Sequence, residues 1–424
     1  MVRPTLWFAL LAACEGPRVA FPTCVDAGED ILFDQVPTWS GQVRAVVGEH
    51  CTRCHQPGGT GPFSLVTYEE AVAWAPAVAA AVTHRTMPPP GPTSCGECNT
   101  FRDHPWLAPV EIAAVRQWAE GGTPAGDHTD PATILPDDHL ARVDAVVQMD
   151  EPYTPNPELA DDYQCFVLDP AFEEDVFLTA FEVLPGDQRV VHHALLYTLP
   201  NALAEADAEF RVSLGDDKGY DCYGGVGISG ASYAAGWVPG MGATVFPDGT
   251  GIKLPAGRKL VLEMHYNLSN GSFPDQSAVA MTLEAQVEQE ALLVSYANLG
   301  MRLKPGQEVE TATQNFLVYP SLLNAEVVLW GIQPHMHTLG RSLTVETWSD
   351  RSEARCVVDV PRYDFDWQGL YFFEEPMRLR ADDWLRLTCT YDTRGRDEVV
   401  GRGEGTTDEM CVAFGYGTAG IPGE

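Results

Sequence analysis

From about Tyr153 to the C-terminus the chain offers only short apolar runs, each closed by Gly, Pro, Asn or Asp. Arg189–Thr198, Arg258–Tyr266, Ala291–Leu299, Ala325–Trp330, Ser342–Trp348 and Trp384–Tyr391 are examples. Runs of this length separated by turn residues predict strands, and many in series predict antiparallel sandwiches. About 270 residues is long for one sandwich and comfortable for two. No internal repeat is evident.

Upstream the texture is helical, from about Gln35 to His128. Ser64-Leu-Val-Thr-Tyr-Glu-Glu opens a helix with an acidic first turn, and Met87-Pro88-Pro89-Pro90 stops it. A second helix starts at Ala108-Pro109-Val110-Glu111, carries Ile112, Val115 and Trp118 at helical spacing, and ends at Gly121-Gly122. Residues 129–148 are polar and Pro-punctuated, a linker pattern. The expected division is therefore a leader at 1–14, a helical domain at 35–128, a linker at 129–148, and sandwiches at 149–285 and 286–424.

The leader MVRPTLWFALLAAC has one Arg, an apolar run too short to span a bilayer, and Cys14. Leu11-Ala12-Ala13-Cys14 resembles the lipobox of bacterial lipoproteins, which predicts export and a lipid anchor, or secretion. The expected home is the periplasm or outer membrane, with membrane contact only through that anchor. A net charge of −34 excludes nucleic acid and anionic lipid surfaces as partners. Eleven cysteines suit an oxidising compartment. With Cys14, Cys51 and Cys54 set aside, an even number remains, which permits disulfides.

CTRCH at Cys51–His55 has the spacing of c-type haem attachment. Two thiols three residues apart on a helical turn reach the two haem vinyl groups, and His55 then points at the iron. Chance would place such a motif roughly 0.007 times in a chain of this composition. A local disulfide or a zinc half-site is the bland alternative. Met87, held by the prolines after it, is the expected distal ligand, and His84 is its rival. This segment resembles the small class I cytochromes c. Cys95 and Cys98, in CGEC, are read as structural, with Cys24 a candidate partner.

Of eleven histidines only five follow His139, and they fall in three clusters beside strand-like runs: His192 and His193, His265, and His335 and His337. His335 and His337 are i and i+2, so one face of a strand presents both to a single metal. His192 and His193 are neighbours, which a regular strand sends to opposite faces, so joint ligation requires a bulge or a strand end. Three imidazoles suit zinc or copper, whereas imidazoles plus a thioether favour copper. The bland alternatives are core histidines satisfied by hydrogen bonds and a structural or hydrolytic zinc site.

VVHHALLY, LEMHYN, PHMHTLG and TDEMC occur in the order found in the copper type II, ascorbate-dependent monooxygenases, the family of peptidylglycine α-hydroxylating monooxygenase and dopamine β-monooxygenase. The resemblance covers roughly residues 150–424. It implies a fold of two all-β antiparallel, jelly-roll-like sandwich domains behind the small all-α cytochrome c domain, with one copper in each sandwich. His192, His193 and His265 would hold the first copper. His335, His337 and Met410 would hold the second, where O2 and substrate meet and a C–H bond is hydroxylated. Cys389 and Cys411 match a family disulfide closing a loop of about 20 residues, a link that stabilises by roughly 3 kcal/mol. Cys165 with Cys222 is a weaker expectation.

Two departures matter. Gln333 stands where the peptide-hydroxylating members have an Arg that binds the substrate carboxylate, and Phe414 replaces a helping Tyr. A glycine-extended peptide is therefore not the expected substrate, and another small molecule or peptide is. The haem domain is the second departure. Electrons are expected to pass via haem, ascorbate or both to the three-histidine copper, with an external donor as partner. The competing readings are a non-catalytic haem–copper electron carrier or copper-binding envelope lipoprotein, and a zinc-stabilised binding module. Gly225–Gly230 fits G-x-G-x-x-G but is read as a plain Gly-rich loop.

Overall fold

The computed structural model describes residues 28–420 except 29, 60, 97, 103, 105, 135–138, 216, 217, 240, 319–325, 350–352, 366, 381, 404 and 406. The expected leader, with Cys14, and Cys24 lie outside the described residues.

The helical region contains α1 (Arg44–His50), α2 (Tyr68–Thr83) and α3 (Pro109–Glu120), with a π-helical turn at Trp39–Val43 leading into α1. α2 starts where the sequence signals it. The Thr67 hydroxyl accepts the Glu70 amide, and the Glu70 carboxylate accepts the Thr67 amide at 2.8 Å, so two otherwise orphaned donors are satisfied together. Trp39, Val43, Val47, Ile112, Val115 and Trp118 form a core of their own. The two indoles are fixed by bonds from Trp39 Nε1 to the Asp130 carbonyl (2.8 Å) and from Trp118 Nε1 to the Pro124 carbonyl (3.2 Å).

The β region is built on one sheet that runs through both halves. Its order is Ala145–Gln148, Ala278–Glu284, Val176–Leu184, Thr250–Leu254, Gln289–Ala297, Cys411–Ala419, Glu326–Met336 and Tyr371–Arg380, with Thr244–Val245 paired to Val176–Leu184. A five-stranded sheet covers the first half: Tyr220–Asp221, Asp161–Leu168, Leu260–Asn267, Val191–Thr198 and Ser232–Trp237. A four-stranded sheet covers the second: Glu310–Leu317, Trp384–Tyr391, Gly340–Trp348 and Arg355–Val360. Separate apolar cores fill the two spaces, one around Phe166, Phe181, Leu262 and Met281, the other around Ile332, Leu343, Val358 and Leu387.

Three expectations are corrected. The sandwiches are not wholly antiparallel, because Gln289–Ala297 pairs in parallel with Thr250–Leu254. That pairing carries the shared sheet across the expected boundary at 285/286, and the chain between the two strands supplies the crossover a parallel pair requires. The last four residues of the expected linker are a strand, Ala145–Gln148, because Val147 and the following Met149 enter the first core. α4 (Ala202–Ser213) was not foreseen; Asn201 caps it by accepting the Leu203 and Ala204 amides.

The helical region is fastened to the second half. Cys98 is bonded to Cys356, a pairing without a spacing signal, and Cys95 is disulfide-bonded as well. Around that link the Thr93 amide donates to the Asp359 carbonyl, the Arg102 amide to the Phe372 carbonyl, and Asn99 Nδ2 to the Val357 carbonyl, each at 2.8 Å. Cys165–Cys222 and Cys389–Cys411 are also formed.

Candidate metal centres

The strand Val191–Thr198 contains the irregularity that two adjacent histidines need. Its register against Leu260–Asn267 shifts between Val191 and His193, a bulge at His192. The bulge turns both imidazoles to one side, where His265 arrives from the neighbouring strand. One ring nitrogen from each of His192, His193 and His265 lies within 4.8 Å of the others.

The donor atoms fit a bound ion. His193 Nδ1 and His265 Nδ1 stand 3.2 Å apart. Two bonds of about 2.0 Å at a tetrahedral angle would set such nitrogens roughly 3.3 Å apart. His192 Nδ1 is buried without a hydrogen-bond partner, an orphan that a metal would satisfy. His265 Nε2 donates to Asp161 Oδ1 at 2.8 Å, which leaves Nδ1 with its lone pair, the carboxylate–histidine half of a metal-binding arrangement. Tyr163 stacks on the His265 ring at 4.2 Å and fixes its plane. Burial, and after it the nearby His265, hold His192 down to about 4 and His193 well below its ordinary value, so both rings are neutral and able to ligate at pH 7.

In the second half, His335 and His337 sit at the end of Glu326–Met336 with ring centroids 5.3 Å apart. Each has its Nδ1 committed. His335 Nδ1 donates to Gln368 Oε1 at 2.5 Å, and the Gln368 amide is itself oriented by a 2.6 Å bond from its Nε2 to the Phe365 carbonyl. His337 Nδ1 donates to the Asp408 carbonyl at 3.2 Å. Both rings therefore present Nε2 as the lone-pair nitrogen. Burial, and next His337, hold His335 down to about 3.

Met410 is buried and precedes the strand Cys411–Ala419, whose register pairs Cys411 with Met336. One step further along that register sets Met410 opposite His337. Glu409 anchors the turn: its carboxylate accepts the amides of His337 (3.0 Å), Leu339 (2.6 Å) and Met410 (3.3 Å). Tyr391 donates to the Met410 carbonyl at 2.7 Å, and Cys389–Cys411 braces the same corner.

The position where a carboxylate-binding Arg was missing is neutral and aromatic. Gln333 is buried, donates to the Gln368 carbonyl, and accepts a 3.2 Å bond from Tyr233 of the first half. The Phe414 ring lies 5.2 Å from Tyr233 and 6.4 Å from His335.

In the helical region Cys51 and Cys54 are both free thiols. His55 Nδ1 donates to the Phe63 carbonyl at 3.0 Å, which leaves Nε2 for a ligand. Met87 is 44 % exposed and lines a small pocket with Arg85, Trp106 and Arg362; the His84 carbonyl accepts a bond from Arg362. Glu49, His50 and Glu111 form a further cluster, but Glu111 is occupied in capping the Ala108 amide and bonding His50.

Asp161, Gln368, Tyr363, Phe365 and Glu409 escaped the sequence reading. Only Glu409 carried a signal, by adjoining Met410 in TDEMC. Asp161 lies 104 residues before His265, and a partnership set by strand pairing leaves no local trace.

Residues 292–416 match the family model described as the copper type II ascorbate-dependent monooxygenase, C-terminal domain. That segment includes His335, His337 and Met410 and excludes the three-histidine cluster. Similar proteins include tyramine beta-hydroxylase of Caenorhabditis briggsae, 25% identical over 343 residues, covering 74% of this chain and 54% of that protein. DBH-like monooxygenase protein 2 of Mus musculus is 26% identical over 279 residues, 61% of this chain and 43% of that protein. Dopamine beta-hydroxylase of Canis lupus familiaris is 24% identical over 195 residues, 42% of this chain and 31% of that protein. The chain spans about half the length, or less, of these relatives. Among solved structures, allantoicase aligns over 62% of this chain and 80% of that chain at a TM-score of 0.18 and 9% identity, too slight a likeness to bear on fold or function.

Proposed function

We propose that this chain belongs to the copper type II ascorbate-dependent monooxygenases and hydroxylates a C–H bond of a small-molecule or peptide substrate with O2. The reading is carried by one observation: three imidazoles gathered by a bulge, with one buried nitrogen left unpartnered. His192, His193 and His265 would hold one copper; His335, His337 and Met410 would hold the other.

Copper held at these sites would supply one-electron transfer and oxygen activation. The chain's own groups do the rest. Asp161 and Tyr163 fix His265, while Gln368 and the Asp408 carbonyl fix the ring orientation of His335 and His337. Glu409 and Cys389–Cys411 hold the Met410 turn, where a soft thioether favours the reduced metal. Overall, one oxygen atom enters the C–H bond and the other leaves as water, with uptake of two electrons and two protons. Tyr233, Gln333 and Phe414 offer no cation to a carboxylate, which favours a substrate without a carboxylate at that end.

The free thiols Cys51 and Cys54 and the oriented His55 fit a covalently held haem c, with Met87 rather than His84 as its distal partner. Such a haem would stand as electron source beside or in place of ascorbate, itself reduced by an external donor. Three sandwich and tether disulfides outside the CTRCH motif favour an exported protein. Among the described residues no helix is long and apolar enough to cross a membrane; lipidation of Cys14 would supply the anchor.

The test is metal content of the full chain produced with export and haem maturation and loaded with copper. Two coppers and one iron per chain are expected, falling to one copper in Met410→Ala or His335→Ala. Zinc, or no copper, overturns the monooxygenase reading; no iron overturns the haem assignment alone.

A further inference from the structure

The loop 361–370, between Arg355–Val360 and Tyr371–Arg380, belongs to the second half but reaches both histidine clusters. Tyr363 clamps the residue between His335 and His337: its hydroxyl accepts the Met336 amide at 2.8 Å and donates to the Met336 carbonyl at 2.7 Å. Gln368 holds His335. Between these anchors lies Phe365. Its ring stacks on His192 of the first half, centroids 4.8 Å apart and planes at 24°, and meets His337 of the second edge-on at 6.0 Å and 76°. One benzene ring therefore touches a member of each cluster, and the His192 and His337 rings cannot be more than about 11 Å apart.

A second link joins the same two clusters. Tyr163, stacked on His265, meets Tyr223 edge-on at 5.3 Å. The Tyr223 hydroxyl donates to Asp408 Oδ2 at 2.8 Å, and the Asp408 carbonyl holds His337. Phe365 and Tyr223, which make the two links, lie outside the ligand motifs and outside the strands.

We infer that Phe365 is a positioning residue that sets the separation of the two metal centres, with the Tyr223–Asp408 bond as the outer clasp. This rests on the two-copper reading above. The ring packs against one histidine of each cluster, and so holds the two halves at one spacing. An aromatic pair of this geometry contributes beyond its buried area, enough to bias the spacing of the halves several-fold, and the clasp adds to it.

The experiment is electron paramagnetic resonance of the full chain loaded with two Cu(II). Dipolar coupling gives a half-field signal whose intensity falls with the sixth power of the intercopper distance. Wild type is expected to show it. Phe365→Ala is expected to keep two coppers and lose about half or more of that intensity, Phe365→Leu to lose less, and Tyr223→Phe less again. Because Phe365→Leu keeps apolar bulk, it serves as the test should Phe365→Ala fold poorly. Unchanged half-field intensity in doubly loaded Phe365→Ala and Phe365→Leu overturns the role of Phe365 and leaves the copper reading intact. A wild-type chain that takes up fewer than two coppers overturns the copper reading, and this inference with it.

Discussion

The two histidine clusters are assembled by opposite routes. His335 and His337 need nothing more than a strand, since i and i+2 share a face. Their supports then come from elsewhere: Gln368 from a loop, the Asp408 carbonyl and Met410 from the approach to the last strand. His192 and His193 need the strand to fail locally, and the bulge supplies that failure. Their support comes from within the sheet, from Asp161 and Tyr163 on the strand paired with that of His265. One centre is regular backbone with loop-borne partners; the other is irregular backbone with strand-borne partners. The first kind is visible in a motif, and the second is visible only once the register is known.

That contrast can be broken by removing ligands. His265→Ala is expected to weaken copper at the three-histidine centre by more than about 100-fold while the second centre stays loaded. His337→Ala should do the converse, and copper stoichiometry with ligand-field spectra reads both. Simultaneous loss from both centres would show that they do not fold as independent sites.

A smaller effect separates the bracing of the two. Replacing Cys389 and Cys411 with Ser opens a disulfide of separation 22 and is expected to cost about 3 kcal/mol in denaturant unfolding. Hydrogen exchange should rise around Met410 and not around His192.

Smaller again are the orienting partners. Asp161→Ala should lower affinity at the first centre 10–100-fold, and Gln368→Ala should lower it at the second by less. Equal losses would mean that a strand-borne and a loop-borne partner orient equally well. A weaker effect of Gln368→Ala is expected, because a loop relaxes more cheaply than a sheet.

The mildest probe is pH. His192 is held down to about 4 and His335 to about 3, in each case first by burial. Between about pH 6.5 and 4 the unfolded chain binds more protons at these positions than the folded one, so metal-free stability falls as pH is lowered through that window. Thermal unfolding of the apo protein at successive pH values checks this. His192→Gln should flatten the decline between pH 6.5 and 4, whereas a decline unchanged in His192→Gln and His335→Gln would place its cause in other groups.

Much of the candidate site was legible beforehand because the residue types that could ligate are grouped locally. Adjacent histidines, an i/i+2 pair, a thioether before a cysteine and a C-x-x-C-H turn are each written within a few residues. The capping box at Thr67 and Glu70 and the bracketing prolines and glycines placed α2 and α3 for the same reason. The fold at large was less legible. Two sandwiches were anticipated, but the single sheet through both was not, since nothing in Thr250–Leu254 or Gln289–Ala297 states that they pair in parallel.

What the residues alone determined, then, was the candidate donor set and the strand and helix segments that carry it, because side-chain identity and short-range periodicity need no tertiary context. The tertiary structure decided the rest: the bulge at His192, the partnership of Asp161 with His265, the tether from Cys98 to Cys356, and the Phe365 ring between the centres. Each of these joins residues that only strand register or loop packing brings together, and the energy that selects them is shared among many contacts across the fold.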